Sequence, residues 1–253
     1  EEDYQDMSMG MINRLGWDVL LAEYRGYGGS TGTPLLGRML DDDVGAVIAA
    51  AGPPEKVVVM GRSVGSFFAL EAVSRFPTIA GLILESAIAD PMERILLRVQ
   101  PRELGGSPGD VAAMEERLDQ QRKIGGFKGR TLILHTRFDG LIDVSHALRL
   151  KRWATGDATL RLFDAGDHNS ILWENTDEYL TAVADFLASV RPRGDHKDEQ
   201  SPRHPRPAPS PGYQDGQREQ AHRHRPPVHG AQARHQGGQL LEELGAGRHP
   251  DAQ

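Results

Sequence analysis

The sequence predicts an α/β fold: a mostly parallel sheet with helices on both faces. Up to Val190, strand-length apolar runs alternate regularly with stretches of helical period, as a parallel sheet with crossover helices requires. Several of these runs are continuously apolar, the pattern of strands buried on both faces. Between one such run and the helix that follows it stands Gly61-Arg62-Ser63-Val64-Gly65. In a sheet of this kind functional groups gather at the carboxyl ends of the strands.

The elements follow in order. Tyr4 to Leu15 reads as a helix, with Met7, Met11, Ile12 and Leu15 at helical spacing, and Gly16 ends it. Trp17 to Tyr24 reads as the first strand, its Val19-Leu20-Leu21-Ala22 run suited to burial on both faces. Arg25 to Pro34 is a glycine-dense loop. Leu36 to Ala51 returns to helix, with Met39, Val44, Val47 and Ile48 inward and Asp41-Asp42-Asp43 solvated. Lys56 to Met60 is the second strand. Ser66 to Arg75 forms its helix, with Phe68, Leu70, Ala72 and Val73 on the apolar side and Phe76-Pro77 as the stop. Ile79 to Leu84 is the third strand.

Glu85 to Lys128 differs in kind, being far longer than the few residues of an ordinary strand-to-helix link. It holds an amphipathic stretch (Ile95, Leu96, Val99), a Pro/Gly break from Pro101 to Gly109 and a charged helix from Asp110 to Lys123. A small helical cap over about residues 86–128 accounts for it. Thr131 to His135 is the fourth strand, followed by a helix through Ala147, Leu148, Leu150 and Trp153. Ala158 to Phe163 is the fifth strand, a short loop carries His168, and Asn175 to Val190 is the last helix.

Composition bounds the function. A formal net charge of −7 over 253 residues argues against a nucleic-acid footprint, which is basic. The chain has no cysteine, which excludes disulfides, thiol catalysis and thiolate-held metals and fits a cytoplasmic protein. No apolar run reaches the roughly 18 residues of a membrane span. The chain begins at Glu1 rather than methionine, so the native start, with any targeting segment, is expected upstream. From Pro192 to Gln253 lie 9 of the 16 prolines and 7 of the 10 histidines, with few large aliphatics. Such a segment buries too little apolar surface to offset its ordering entropy. The expected organisation is a folded domain at residues 1–191 and a disordered tail at residues 192–253, with a compositional break abrupt enough for a foreign or out-of-frame segment.

Gly-x-Ser-x-Gly between a buried strand and a helix is the pattern of a nucleophile elbow. The turn strains the serine backbone, and glycines stand where neighbouring chain approaches closely. Ser63 Oγ then sits at a helix N-terminus, where amide N–H groups favour developing negative charge. Serine needs a base to take its proton during attack. His168, after the fifth strand, is placed for that role, and Asp139, after the fourth, for orienting the imidazole. Asp143 is a rival acid, disfavoured because Asp139 follows the strand more directly and Asp143 reads as an N-cap for the next helix. Asp90, after the third strand, is a further candidate. His135 and His146 read as structural, and Tyr27 as either a site-lining residue or part of a tight turn.

Glu23-Tyr24-Arg25-Gly26-Tyr27-Gly28-Gly29-Ser30, Gly61-Arg62-Ser63-Val64-Gly65-Ser66, Leu134-His135 through Asp139, and Gly166-Asp167-His168-Asn169 together resemble the α/β-hydrolase fold family. They are closest to small serine hydrolases such as bacterial esterase-like proteins and eukaryotic protein depalmitoylases. The resemblance covers residues 1 to about 190. It implies cleavage of a carboxylic ester or thioester by Ser63, His168 and Asp139, with the Val64 amide as one oxyanion donor. In such hydrolases the first sheet strands and a His-Gly loop with the second donor precede the helix expected at Tyr4. Here they would lie upstream of Glu1, leaving a truncated chain with an unpaired sheet edge. Loss of one oxyanion donor lowers turnover on the order of 100- to 1000-fold.

No metal or organic cofactor is implied, because the triad supplies nucleophile and proton transfer. The expected partner is a small-molecule or acyl substrate. A catalytically impaired hydrolase fold acting as a binding module is the alternative, and a cofactor-free haloperoxidase or lyase on the same triad is a third.

Overall fold

The computed structural model describes residues 10–96 and 108–191. The tail expected at residues 192–253, the start of the helix expected at Tyr4, and Leu97 and Val99 of the expected cap lie outside the described residues.

Four strands form one sheet: β1 (Val58–Arg62), β2 (Gly81–Glu85), β3 (Arg130–Thr136) and β4 (Ala158–Phe163). Their spatial order follows the chain, and every neighbouring pair is parallel. Parallel neighbours need a crossover. Helix α4 (Gly65–Arg75) links β1 to β2 and α8 (Ser145–Trp153) links β3 to β4. Between β2 and β3 lie α5 (Pro91–Leu96), α6 (Pro108–Arg117) and α7 (Gln120–Gly126), so the regular structure among the described residues of the long insertion is helical. Ahead of β1 come α1 (residues 10–14), α2 (Leu36–Arg38), a π-helical turn (Met39–Asp43) and α3 (Val44–Ala51). After β4 come α9 (Ile171–Glu174) and α10 (Thr176–Val190).

The central strands β2 and β3 are buried on both faces. Leu82 and Leu84 of β2 and Ile133 of β3 pack with Leu70 and Val73 of α4, Ile124 of α7 and Leu150 of α8. The intervening Ile83, Leu132 and Leu134 pack on the other side with Val183, Phe186 and Leu187 of α10. This is period-two alternation with two apolar faces, each fully buried Leu or Ile contributing about 1.5–3 kcal/mol. At Gly81 a Cβ would stand 2.8 Å from the Phe186 ring, so the glycine lets α10 settle onto β2.

Several expectations are corrected. Residues 17–24 form no strand, and the sheet among the described residues has four strands rather than five. Leu20 and Leu21 are 54% and 46% exposed, the reverse of burial on both faces. An apolar run becomes a strand only where a neighbour offers a ladder, and β1 pairs with β2 alone among the described strands. The elbow strand continues through Gly61 and Arg62 instead of ending at Met60. Glu85, read as the start of the insertion, is the last residue of β2 and is fully buried. Asp43 is not simply solvated: half-buried, it accepts a hydrogen bond from Arg25 Nε at 3.0 Å and holds the glycine-rich loop to the π-helical turn. On α4 the buried side includes Phe67 and Ala69, while Phe68 is only partly covered and its ring meets Tyr24 at 5.0 Å.

Candidate active site

Ser63 follows β1 directly and has φ of +51°, a left-handed backbone that a residue with a Cβ adopts only under constraint. Such a conformation costs on the order of 1–3 kcal/mol and persists where surrounding contacts hold it. Here the Ser63 N–H donates to Glu85 O at 2.9 Å, one step beyond the β1–β2 ladder. The Ser63 carbonyl accepts from Ser66 N–H at 3.0 Å and from Ser66 Oγ at 2.6 Å. Fully buried Ser66 also receives Ile88 N–H at 3.2 Å, tying the elbow to the chain after β2. At Gly61 a Cβ would lie 2.6 Å from both Ala69 Cβ and Gly65 O, so the first glycine permits the close strand-to-helix approach. At Gly65 a Cβ would stand 3.1 Å from Tyr24 Oη.

His168 lies between β4 and α9. Its Nε2 is 3.1 Å from Ser63 Oγ, and its Nδ1 is 2.8 Å from Asp139 Oδ2. The loop is pinned from two sides. Thr136 Oγ1 donates to Gly166 O at 2.9 Å, and Asp167 Oδ1 accepts the Asn169 and Ser170 N–H groups at 2.9 and 3.0 Å. Gly166, at φ +76°, makes the bend.

Asp139 sits just beyond β3 with a fully buried side chain. Burial, the largest influence, favours its neutral form. Hydrogen bonds from His168 and from the Ile142 and Leu141 amides outweigh it and hold the carboxyl below the usual carboxylate range. Those amides, at 2.8 and 2.9 Å, occupy Oδ1 and leave Oδ2 for the imidazole. An ionised Asp139 accepts only, so His168 Nδ1 carries the proton and Nε2 turns its lone pair to Ser63.

The structure therefore brings Ser63, His168 and Asp139 within hydrogen-bond distance, and not the rival acids. Asp143 is not the expected N-cap, which is Val144; its Oδ1 accepts Ser145 N–H at 2.9 Å just ahead of α8, and Asp90 Oδ1 accepts Glu93 N–H at 2.9 Å on α5. Val64 is the N-cap of α4, so its N–H is among the first-turn donors without a partner inside the helix. His135 is fully buried, donates to Ile142 O at 2.9 Å and lies 3.8 Å from Asp139 Oδ2. Buried His146 accepts Ala89 N–H at 3.1 Å. The Tyr27 ring packs edge-on against Tyr24. Among the described residues no group of three or more His, Asp and Glu side chains is arranged to hold a metal ion, and no helix is long and apolar enough to cross a membrane.

Sequence reasoning passed over Arg62 and Glu85, which form an ion pair at 3.0 Å beside the elbow. A signal was present: Glu85 ends an otherwise apolar strand, and a carboxylate there demands a cationic partner.

Residues 6–112 match the family described as alpha/beta hydrolase fold. Uncharacterized protein YfhR of Escherichia coli (strain K12) is 25% identical over 182 residues, which cover 69% of this chain and 61% of that protein. Alpha/beta hydrolase domain-containing protein 17B of Xenopus laevis is 24% identical over 184 residues, 71% of this chain and 59% of that protein. The chain thus spans about six-tenths of the length of these relatives. The crystal structure of Paleococcus ferrophilus monoacylglycerol lipase superposes with a TM-score of 0.55 at 18% identity, over 72% of this chain and 87% of that one, a likeness of fold.

Proposed function

We propose that this chain, whose residues 6–112 match the alpha/beta hydrolase fold family, is a serine hydrolase of that family cleaving a carboxylic ester or thioester through an acyl-enzyme. The observation that carries this reading is the continuous relay in which Ser63 Oγ is 3.1 Å from His168 Nε2 and His168 Nδ1 is 2.8 Å from buried Asp139.

In this reading Ser63 Oγ attacks the substrate carbonyl carbon while His168 Nε2 takes the hydroxyl proton. Asp139 stabilises the imidazolium without itself taking the proton. The tetrahedral oxyanion lies against the Val64 N–H and the positive end of α4. Collapse breaks the bond to the alcohol or thiol, which leaves with the proton from His168. Water then attacks the acyl-enzyme by the same route and frees the acid. Base catalysis of this kind supplies about 10²–10⁴-fold of the acceleration. The catalytic unit in this reading is residues 1–191, and its partner is a small-molecule or acyl substrate.

Labelling with a fluorophosphonate probe, alongside hydrolysis of a short-chain chromogenic ester, tests the assignment. Ser63 is expected to be the modified residue, and Ser63→Ala to abolish labelling and ester turnover. Equal labelling or equal turnover in the alanine variant would remove Ser63 from the mechanism. A binding module on this fold would leave Ser63 unmodified.

A further inference from the structure

We propose that Arg62 is a positioning residue for the base, locking the His168 backbone to the strand that delivers Ser63; this rests on the Ser63–His168 reading above. Arg62 is the last residue of β1 and the immediate neighbour of Ser63. Its Nη2 donates to His168 O at 2.6 Å and to Asn169 Oδ1 at 3.1 Å. Its Nε donates to Glu85 Oε1 at 3.0 Å. Glu85 is fully buried at the end of β2, and its other oxygen accepts the Tyr179 hydroxyl from α10.

The guanidinium is thus aimed by a carboxylate that the sheet and α10 hold in place. A planar fork can satisfy Glu85 and the His168 carbonyl together, because its donors are fixed in one plane. Ser63 and His168 stand 105 positions apart in the chain, so no local turn sets the distance between them. Thr136 and Asp167 shape the His168 loop from within β3 and the loop itself. Arg62 joins that loop to the residue beside the nucleophile. A misplacement of 1 Å between reacting groups lowers rate by about 100-fold, which sets the scale of what this contact protects.

A half-buried ion pair with no catalytic consequence is the competing account, and lysine separates the two. Lysine can neutralise Glu85 as a point charge but cannot fork to the His168 carbonyl at the same time. The experiment uses the full chain and a fluorophosphonate, whose reaction needs Ser63 and its base but no knowledge of the natural substrate. For wild type, Arg62→Lys, Arg62→Met and Ser63→Ala, the maximal labelling rate and half-saturating probe concentration are measured, with thermal unfolding in parallel. Arg62→Lys is expected to fold and to bind probe as wild type does, yet to label about 10- to 100-fold more slowly at saturation. Arg62→Met is expected to lose at least as much.

Folded Arg62→Lys labelling at the wild-type rate overturns the proposal while leaving the triad intact. A loss confined to the half-saturating concentration, or unfolding of both Arg62 variants, also overturns it, because the contact then serves probe binding or the fold. Wild type labelling no faster than Ser63→Ala overturns the triad reading itself, and this inference with it.

Discussion

His135 Nε2 lies 3.8 Å from Asp139 Oδ2, the same oxygen that His168 Nδ1 meets at 2.8 Å. One buried carboxylate thus faces two imidazoles, and they are used differently. His168 reaches Ser63, whereas His135 is sealed in the core with Nε2–H on Ile142 O. Burial lowers the His135 pKa, and the attraction of Asp139 does not reverse that.

A pH dependence of stability follows. A histidine with a depressed folded pKa takes up a proton more readily when unfolded. Stability is therefore unaffected by His135 above about pH 6.5 and falls as pH drops from there toward the folded value, by up to about 1.4 kcal/mol per unit. Asp139, also depressed, adds an acid-side loss in a lower window, below its unfolded value of about 3.9. Urea unfolding between pH 8 and pH 5 is expected to show a weaker pH slope in His135→Gln than in wild type. Parallel slopes would mean that His135 is protonated in the folded protein.

Asp139 and Asp143 are separated by role. Asp139→Asn offers the imidazole the wrong partner and is expected to lower ester turnover about 10⁴-fold with the fold retained. Asp143→Ala is expected to leave turnover nearly unchanged and to lower unfolding free energy by about 1 kcal/mol, the usual net worth of one hydrogen bond, here the one its carboxylate accepts from Ser145 N–H. Steady-state rates and denaturant midpoints of the two variants decide it; a large rate loss in Asp143→Ala would reverse the assignment.

Gly61→Ala puts a methyl group where only 2.6 Å separates it from Ala69 Cβ and Gly65 O. Neither neighbour is the end of a flexible side chain, so α4 must move away from β1. Destabilisation of about 1–3 kcal/mol is expected, together with slower fluorophosphonate labelling in the folded fraction. Unchanged midpoint and labelling would show that the elbow has room the structure does not show.

Lys123 of α7 is almost fully buried and meets Glu71 of α4 at 2.9 Å. Burial lowers the Lys123 pKa against the opposing pull of Glu71. Glu71→Ala strands the lysine and is expected to cost about 3–5 kcal/mol at pH 7, whereas the double change Glu71→Leu with Lys123→Met is expected to lie near wild type. Calorimetric or denaturant unfolding of both tests the contrast, and a mild Glu71→Ala effect would place Lys123 in contact with water.

Where structure follows from local pattern, the sequence was a good guide. Ala158–Phe163 is β4 with the expected bounds, and β3 extends the expected Thr131–His135 by one residue at each end. β3 is a continuously buried run and β4 an alternating one, and both find neighbours on the sheet. Residues 17–24 carry an equally apolar run and form no strand, since pairing depends on what lies alongside. The preference for Asp139 over Asp143 rests on its following β3 more directly, and Asp139 is the acid that meets His168, whereas the expected capping role is not Asp143's, since Val144 is the N-cap of α8. The cluster of Arg62, Glu85 and Tyr179 is not legible in the sequence, because its members meet only once β1, β2 and α10 are assembled.

The sequence by itself determined the kinds of element, the elbow between β1 and α4, and the chain order of serine, acid and histidine, all of which rest on periodicity and residue chemistry over short spans. Tertiary structure alone decided that His168 Nε2 stands 3.1 Å from Ser63 Oγ, that Asp139 divides its oxygens between backbone amides and imidazole, and that Arg62 joins the end of β1 to the His168 loop. Hydrogen-bond geometry between residues 105 positions apart is set by sheet register and by helix packing on both faces, and neither is written in any short stretch of chain.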